Sequence, residues 1–288
     1  MTAPPQKPDS GGGISADLRT RAITALIALP VAVVGLYIGG VLWLALMAAL
    51  GAVGLLEFYA ITRGDTPDNQ KHAGVPPVGI AVFVALLGSA FGVLQTPALL
   101  IILMIGVGGA WVAAHQRGRA RMPSTLMTIA GVAYVAVPVA FLVALRGSAD
   151  GIAWVMVIFA ATWGTDTAAY FGGRKWGKRQ LAPRLSPKKT VEGAIFGVVG
   201  GAGAALAVLA VAGLVSVTAV IMVAVAPLVA IAGDLLESAI KRAYGVKDSH
   251  IVGLNIFPGH GGVLDRIDAL IMVTLFCYPI LLLGGLLS

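Results

Sequence analysis

Residues 233–268 read GDLLESAIKRAYGVKDSHIVGLNIFPGHGGVLDRID. The stretch places Asp234, Glu237, Asp248, Asp265 and Asp268 beside Lys241, Arg242, Lys247 and Arg266. Asp234, Glu237, Ser238 and Lys241 are spaced i, i+3, i+4 and i+7, which lines them along one face of a helix. Asp265 and Asp268 repeat the i, i+3 spacing at the head of the last apolar run. Between them lies Pro258–Gly262, PGHGG, whose glycines let backbone N–H groups approach an anion closely. Carboxylates suit Mg²⁺, while cations and bare amides suit phosphate, and both kinds occur here together. The plain alternative is a solvated loop between two spans. Against it stands the cost of setting acids inside span ends, where such residues are usually functional.

Outward from this block the chain turns apolar. Only 11% of its 288 residues are charged, and the mean hydropathy is +0.92. That composition describes an all-α, polytopic membrane protein rather than a soluble domain. Residues 1–20, rich in Pro, Gly, Ser and Asp, are expected to be a disordered N-terminus. Nine apolar runs follow, at about 22–39, 41–62, 75–94, 97–114, 124–145, 151–172, 193–213, 217–238 and 267–287, each near the ~20 residues a spanning helix needs. No small-x-small cleavage site follows the first run clearly, so it reads as a retained anchor. Residues 21–150 and 151–288 then form N-terminal and C-terminal sets of spans, the second carrying the polar loops. Abundant Gly and Ala permit close helix packing.

The charges give an orientation. Of the 20 Lys and Arg residues, all but Arg146 fall before the first run or in alternate connections after it. That bias predicts a cytoplasmic N-terminus and an outside C-terminus. The net charge of +7 is therefore read as topology and as attraction for anionic substrates, not as a nucleic-acid surface. The one cysteine, Cys277, excludes an intramolecular disulfide and a cysteine-based metal cluster. No Walker loop, dinucleotide fingerprint, zinc spacing or Ser-His-Asp arrangement occurs.

A second polar block, residues 162–193, reads TWGTDTAAYFGGRKWGKRQLAPRLSPKKTVEG. Asp166 stands inside the sixth run; it would either serve a site or hydrogen-bond a neighbouring helix. Lys188 and Lys189, between Ser186-Pro187 and Thr190, read as a shaped phosphate site over ordinary inside-facing cations. Glu192 reads as an N-terminal helix charge. Glu57, near the end of the second run, either lines a cavity or reaches the interface. His260 is a loop histidine, a phosphate contact or a proton carrier.

The two blocks together resemble the phosphatidate cytidylyltransferase family. Its pattern S-x-x-K-R, K-D, P-G-H-G-G-x-x-D-R-x-D appears as Ser238, Lys241-Arg242, Lys247-Asp248, Pro258–Gly262, Asp265-Arg266 and Asp268. Its D-T-x-A-Y, G-[KR]-x-x-G-K and S-P-x-K-T-x-E-G appear as Asp166–Tyr170, Gly173–Lys178 and Ser186–Gly193. The loop from Asp248 to Pro258 is four residues longer than the family pattern. The resemblance covers roughly the C-terminal 120 residues; the first 150 match only in being hydrophobic.

The resemblance implies transfer of a cytidylyl group from CTP to phosphatidic acid, at the cytoplasmic face of a bacterial inner membrane. It implies Asp234 and Asp265 as Mg²⁺ ligands, with Asp268 and Ser238 completing the catalytic set alongside Lys241. Asp166, Ser186, Lys188, Lys189, Arg242, His260 and Arg266 would bind substrate. A second cation is compatible with so many acids, and the sequence is compatible with a homodimer. Three rival functions remain at this point: a CTP-dependent enzyme acting on another lipid phosphate or a polyprenol, a transporter, and a non-catalytic scaffold.

Overall fold

The computed structural model describes residues 30–63, 67–116, 121–246 and 262–287. They are mostly helical. After α1 (residues 30–38) come α2 (Gly40–Arg63), α3 (Pro67–His72), α4 (Pro76–Ala90), α5 (Thr96–Gln116) and α6 (Arg121–Gly131). A π-helical turn (Val132–Ala136) joins α6 to α7 (Val137–Arg146), and α8 (Gly151–Trp176) follows. Two short antiparallel strands, β1 (Gln180–Ala182) and β2 (Ser186–Thr190), precede α9 (Val191–Ala212), α10 (Val217–Ala243) and α11 (Leu264–Leu283).

Among the described residues, six helical stretches are long and apolar enough to cross a membrane: 40–63, 123–146, 151–176, 191–212, 217–243 and 264–283. The runs expected at 75–94 and 97–114 appear as α4 and α5, and α4 has only 15 residues. Two helices outlast their apolar runs. The run ending near residue 172 continues as helix to Trp176, and the one ending near 238 continues to Ala243. Asp234, Glu237, Ser238 and Lys241 therefore lie on one helix, with Lys241 in its last turn, as their spacing requires. The connection between α8 and α9 is a β-hairpin and not the plain loop its Pro-rich sequence suggests.

Local chemistry sets the element ends. Thr190 caps α9 by accepting from Gly193 N at 3.1 Å, and Ser216 caps α10 by accepting from Ala219 N at 3.2 Å. Gly213, at φ +70°, closes α9 in the left-handed conformation that glycine adopts without strain. Arg146, the one cation away from the others in the sequence, bonds the carbonyls of Leu36 and Tyr37 and so closes the end of α1.

The pair that positions the site is α8 with α9. Gly193, Gly197 and Gly201 recur every fourth residue and form a buried stripe on α9. A Cβ on Gly201 would meet Thr165 Oγ1 at 2.1 Å and Ala161 O at 2.8 Å. Gly233 does the same for α10 and α11, where a Cβ would lie 2.8 Å from Met272 and 3.1 Å from Asp268 O. The N-terminal helices form a second packed group held by a few polar ties. Trp43 Nε1 donates to Leu142 O at 3.2 Å, and Tyr59 donates to Thr128 O at 2.8 Å. The two groups meet on α11, which touches α2 and α7 as well as α8 and α10.

The seam predicts a graded pair of substitutions. Gly201→Leu must push α8 from α9, and overpacking of this kind costs roughly 1–3 kcal/mol or more. Gly203, two residues on, faces open space, so Gly203→Ala should melt like wild type. Thermal unfolding of the purified protein by size-exclusion fluorescence checks both.

Candidate active site

The hairpin, together with α8, α9, α10 and α11, lines a cavity of about 760 Å³. That is the size of a small-molecule site. Asp166 of α8, Ser186, Lys188 and Lys189 of β2, Asp234 of α10 and Arg266 of α11 all line it. Residues from both polar blocks, far apart in sequence, thus share one wall. Glu192 pins the base of the hairpin: its carboxylate accepts from Lys178 N at 3.0 Å and Arg179 N at 3.2 Å. Val191 N donates to Arg179 O at 2.8 Å beside it. Glu192 is accordingly a fastener for the strand that carries the lysines. Arg174 and Tyr170 also line the cavity, and Arg174 Nη1 donates to Tyr170 Oη at 2.9 Å.

Charge is paired across the cavity. Lys189 Nζ forms an ion pair with Asp234, joining β2 to α10. The same ammonium acts electrostatically on Asp166 and on Asp268, which also feel Asp234. Acids from three helices thus lie within electrostatic reach of one lysine. Asp268 is the most enclosed, 8% exposed.

A second cluster lies where α10 meets α11. Lys241 Nζ contacts Glu237 at 2.6 Å and Asp265 at 2.6 Å. The side chains of all three are nearly buried, at 12%, 3% and 10% exposure. Asp265 Oδ2 also accepts from Gly262 N at 2.9 Å, which suits a carboxylate in the first turn of a helix. Glu57, from α2, completes that helix start by accepting from Val263 N at 3.0 Å and Leu264 N at 2.7 Å. Of the two roles open to Glu57 in the sequence, the structure gives a third: it caps α11.

The remaining expected residues are dispersed. Ser238 is half-buried on α10, one turn past Asp234, and is not part of the cavity wall. Arg242 turns to its own helix end and donates to Val246 O at 3.3 Å. His260, Lys247 and Asp248 lie outside the described residues.

Among the described residues no group of three or more acids, histidines or cysteines is placed to hold a metal ion. The donor chemistry nevertheless fits Mg²⁺, which is commonly held by one or two carboxylates together with water and substrate phosphates. Asp234 and Asp265 each have an ammonium against the carboxylate, the charge that a cation would supply.

The profile of the cytidylyltransferase family matches residues 19–283. The chain belongs to this family. A phosphatidate cytidylyltransferase of Brucella suis biovar 1 is 34% identical over 277 residues, 91% of this chain and 92% of its own. The phosphatidate cytidylyltransferase of Thermotoga maritima is 31% identical over 269 residues, 91% of this chain and 95% of its own. That of Bacillus subtilis is 40% identical over 139 residues, 46% of this chain. In this cytidylyltransferase chain the likeness therefore runs through the N-terminal helices too, beyond the two motif blocks. Those helices contribute Glu57 and Tyr134 to the surroundings of the site, and nothing in the sequence singles out Tyr134 from an apolar run.

Lys241 supplies the sharpest stability test. Lys241→Met strands two carboxylates in a nearly dry site, and breaking a buried pair from one side costs about 3–5 kcal/mol. Lys241→Met combined with Glu237→Gln removes one of those charges and should recover part of the loss. Melting temperatures of the two variants in one detergent check this.

Proposed function

We propose that the protein joins CTP to phosphatidic acid, giving CDP-diacylglycerol and pyrophosphate. One observation carries the reading: a lysine-bearing hairpin, acids from two apolar helices and an arginine from a third face the same cavity. A soluble polyanion and a lipid can meet only where a membrane helix ends in such a surface. In the reaction a phosphate oxygen of phosphatidic acid attacks the α-phosphorus of CTP. The bond from that phosphorus to the β-bridging oxygen breaks, and pyrophosphate leaves. The nucleophile is already ionised near neutral pH, so the site has to position and neutralise charge more than abstract a proton.

Lys188, Lys189 and Arg266 bind phosphate oxygens in this scheme, with Ser186 and Asp166 lining the nucleotide end. Lys241 keeps Asp265 oriented. Mg²⁺ held by Asp234 and Asp265 together with the phosphates would stabilise the charge that develops on the transferred group. The names of the relatives support phosphatidic acid over other lipid phosphates.

Purified protein given labelled CTP should form CDP-diacylglycerol with phosphatidic acid and little product with polyprenyl phosphate or lysophosphatidic acid. Product with polyprenyl phosphate alone would move the chain to the rival lipid substrate. Asp234→Asn and Asp265→Asn keep side-chain size and remove charge. Each should insert normally and lose at least about 2.7 kcal/mol of transition-state stabilisation, a hundredfold or more in kcat. Wild-type turnover and Mg²⁺ dependence in either variant would remove that residue from the metal site.

The same reading carries nine spans, an inner-membrane location and a cavity open to the cytoplasm, supported by the distribution of Lys and Arg. Cysteines introduced at Ser148 and Ser288 should then react with an impermeant maleimide added outside intact cells. Labelling of either only after permeabilisation overturns this orientation.

A further inference from the structure

Tyr134 sits in the middle of an apolar stretch, yet its hydroxyl is buried and has no hydrogen-bond partner among the described residues. The backbone explains how it comes to be there. Pro138 has no N–H to give to the carbonyl of Tyr134, four residues earlier. The chain widens instead into the π turn, in which Val137 N reaches Val132 O. Such turns redirect a side chain and recur at functional sites. Here the ring of Tyr134 rests 5.8 Å from that of Phe58, within electrostatic reach of Asp268, Glu237 and Asp234.

A second orphan lies in the same region. Glu237 contacts Lys241 through Oε2, but its Oε1 is buried and has no partner among the described residues. A donor lacking an acceptor and an acceptor lacking a donor thus occur together beside the site. Each is costly to keep in a dry interior. Glu237 in turn holds Lys241, and Lys241 holds Asp265.

We infer that Tyr134 is a positioning residue for the reaction: its hydroxyl donates to Glu237 Oε1, directly or through one water, when substrate fills the cavity. The bond fixes the chain from Glu237 through Lys241 to Asp265 at the moment charge develops. It gives the N-terminal helices a part in the reaction beyond spanning the membrane. The inference rests on the reaction proposed above.

The test is Tyr134→Phe, which removes one oxygen and keeps the ring. In the resting protein that oxygen bonds to nothing described, so the variant should melt at the wild-type temperature or higher. Its kcat should fall roughly tenfold or more, as for loss of a partner that orients a catalytic group, while KM for CTP stays within about twofold. Unchanged kcat, or a change in KM alone, overturns the inference. The two readings fail separately: a wild type that makes no CDP-diacylglycerol removes the reaction, whereas equal activity of wild type and variant removes only the tyrosine. The melting comparison needs no turnover, and a variant that melts lower overturns the inference in either case.

Discussion

The ammonium of Lys241 lies between a carboxylate of its own helix and one from the next, in a place where water is scarce. Neither acid could stay charged there alone at tolerable cost. The pairing ties α10 to the first turn of α11, and with it sets the direction of Asp265, Arg266 and Asp268. Lys189 does the same across the cavity with Asp234. Pairing of buried acids with cations is thus the condition under which an apolar bundle can carry a highly charged site. The arrangement follows from that condition: acids on helices, and cations arriving from the hairpin or from one helical turn away.

The helix frame supplies what the charges cannot. Ion pairs at the edge of a membrane bend easily unless their backbones are held. The glycine stripe of α9 brings α8 close enough to fix Asp166 relative to Thr190 and the hairpin. Glu57 holds the start of α11 from the other side, so its first turn is bracketed between α2 and α10. Packing and electrostatics therefore act at different ranges. The seam fixes how closely the helices approach, and the ion pairs select side-chain directions within that frame.

Much of this was legible in the sequence. The spacing of Asp234, Glu237, Ser238 and Lys241 required a helix, and a helix is what they form. Hydropathy located the long spans, because hydropathy is the quantity a membrane selects on. The two polar blocks were recognisable, and the structure brings Asp166, Ser186, Lys188, Lys189, Asp234 and Arg266 to one cavity. The partners were not legible. Nothing in composition says that Lys189 meets Asp234 or that Lys241 meets Asp265, since those contacts depend on how four helices cross. The hairpin was hidden because Pro183 and Pro187 argue for a loop, and a strand this short sits at an edge where proline is tolerated. Glu57 and Tyr134 were hidden for a simpler reason: their roles lie across long-range contacts, and each stands alone in an apolar run. The glycine stripe at 193, 197 and 201 was visible in the letters, but it is one of many in a chain with 38 glycines.

Arg146 has a consequence for how the chain reaches its final state. In the proposed orientation its guanidinium has to be translocated across the bilayer, a step that opposes insertion. A neutral residue would cross more readily. The charge is retained where its hydrogen bonds finish α1, at the carbonyls of Leu36 and Tyr37. Those bonds cannot form until α1 and the α7 end are both in place. Translocation of Arg146 is therefore coupled to assembly of the N-terminal helices, so that a kinetic obstacle during biogenesis becomes a latch once the bundle has closed.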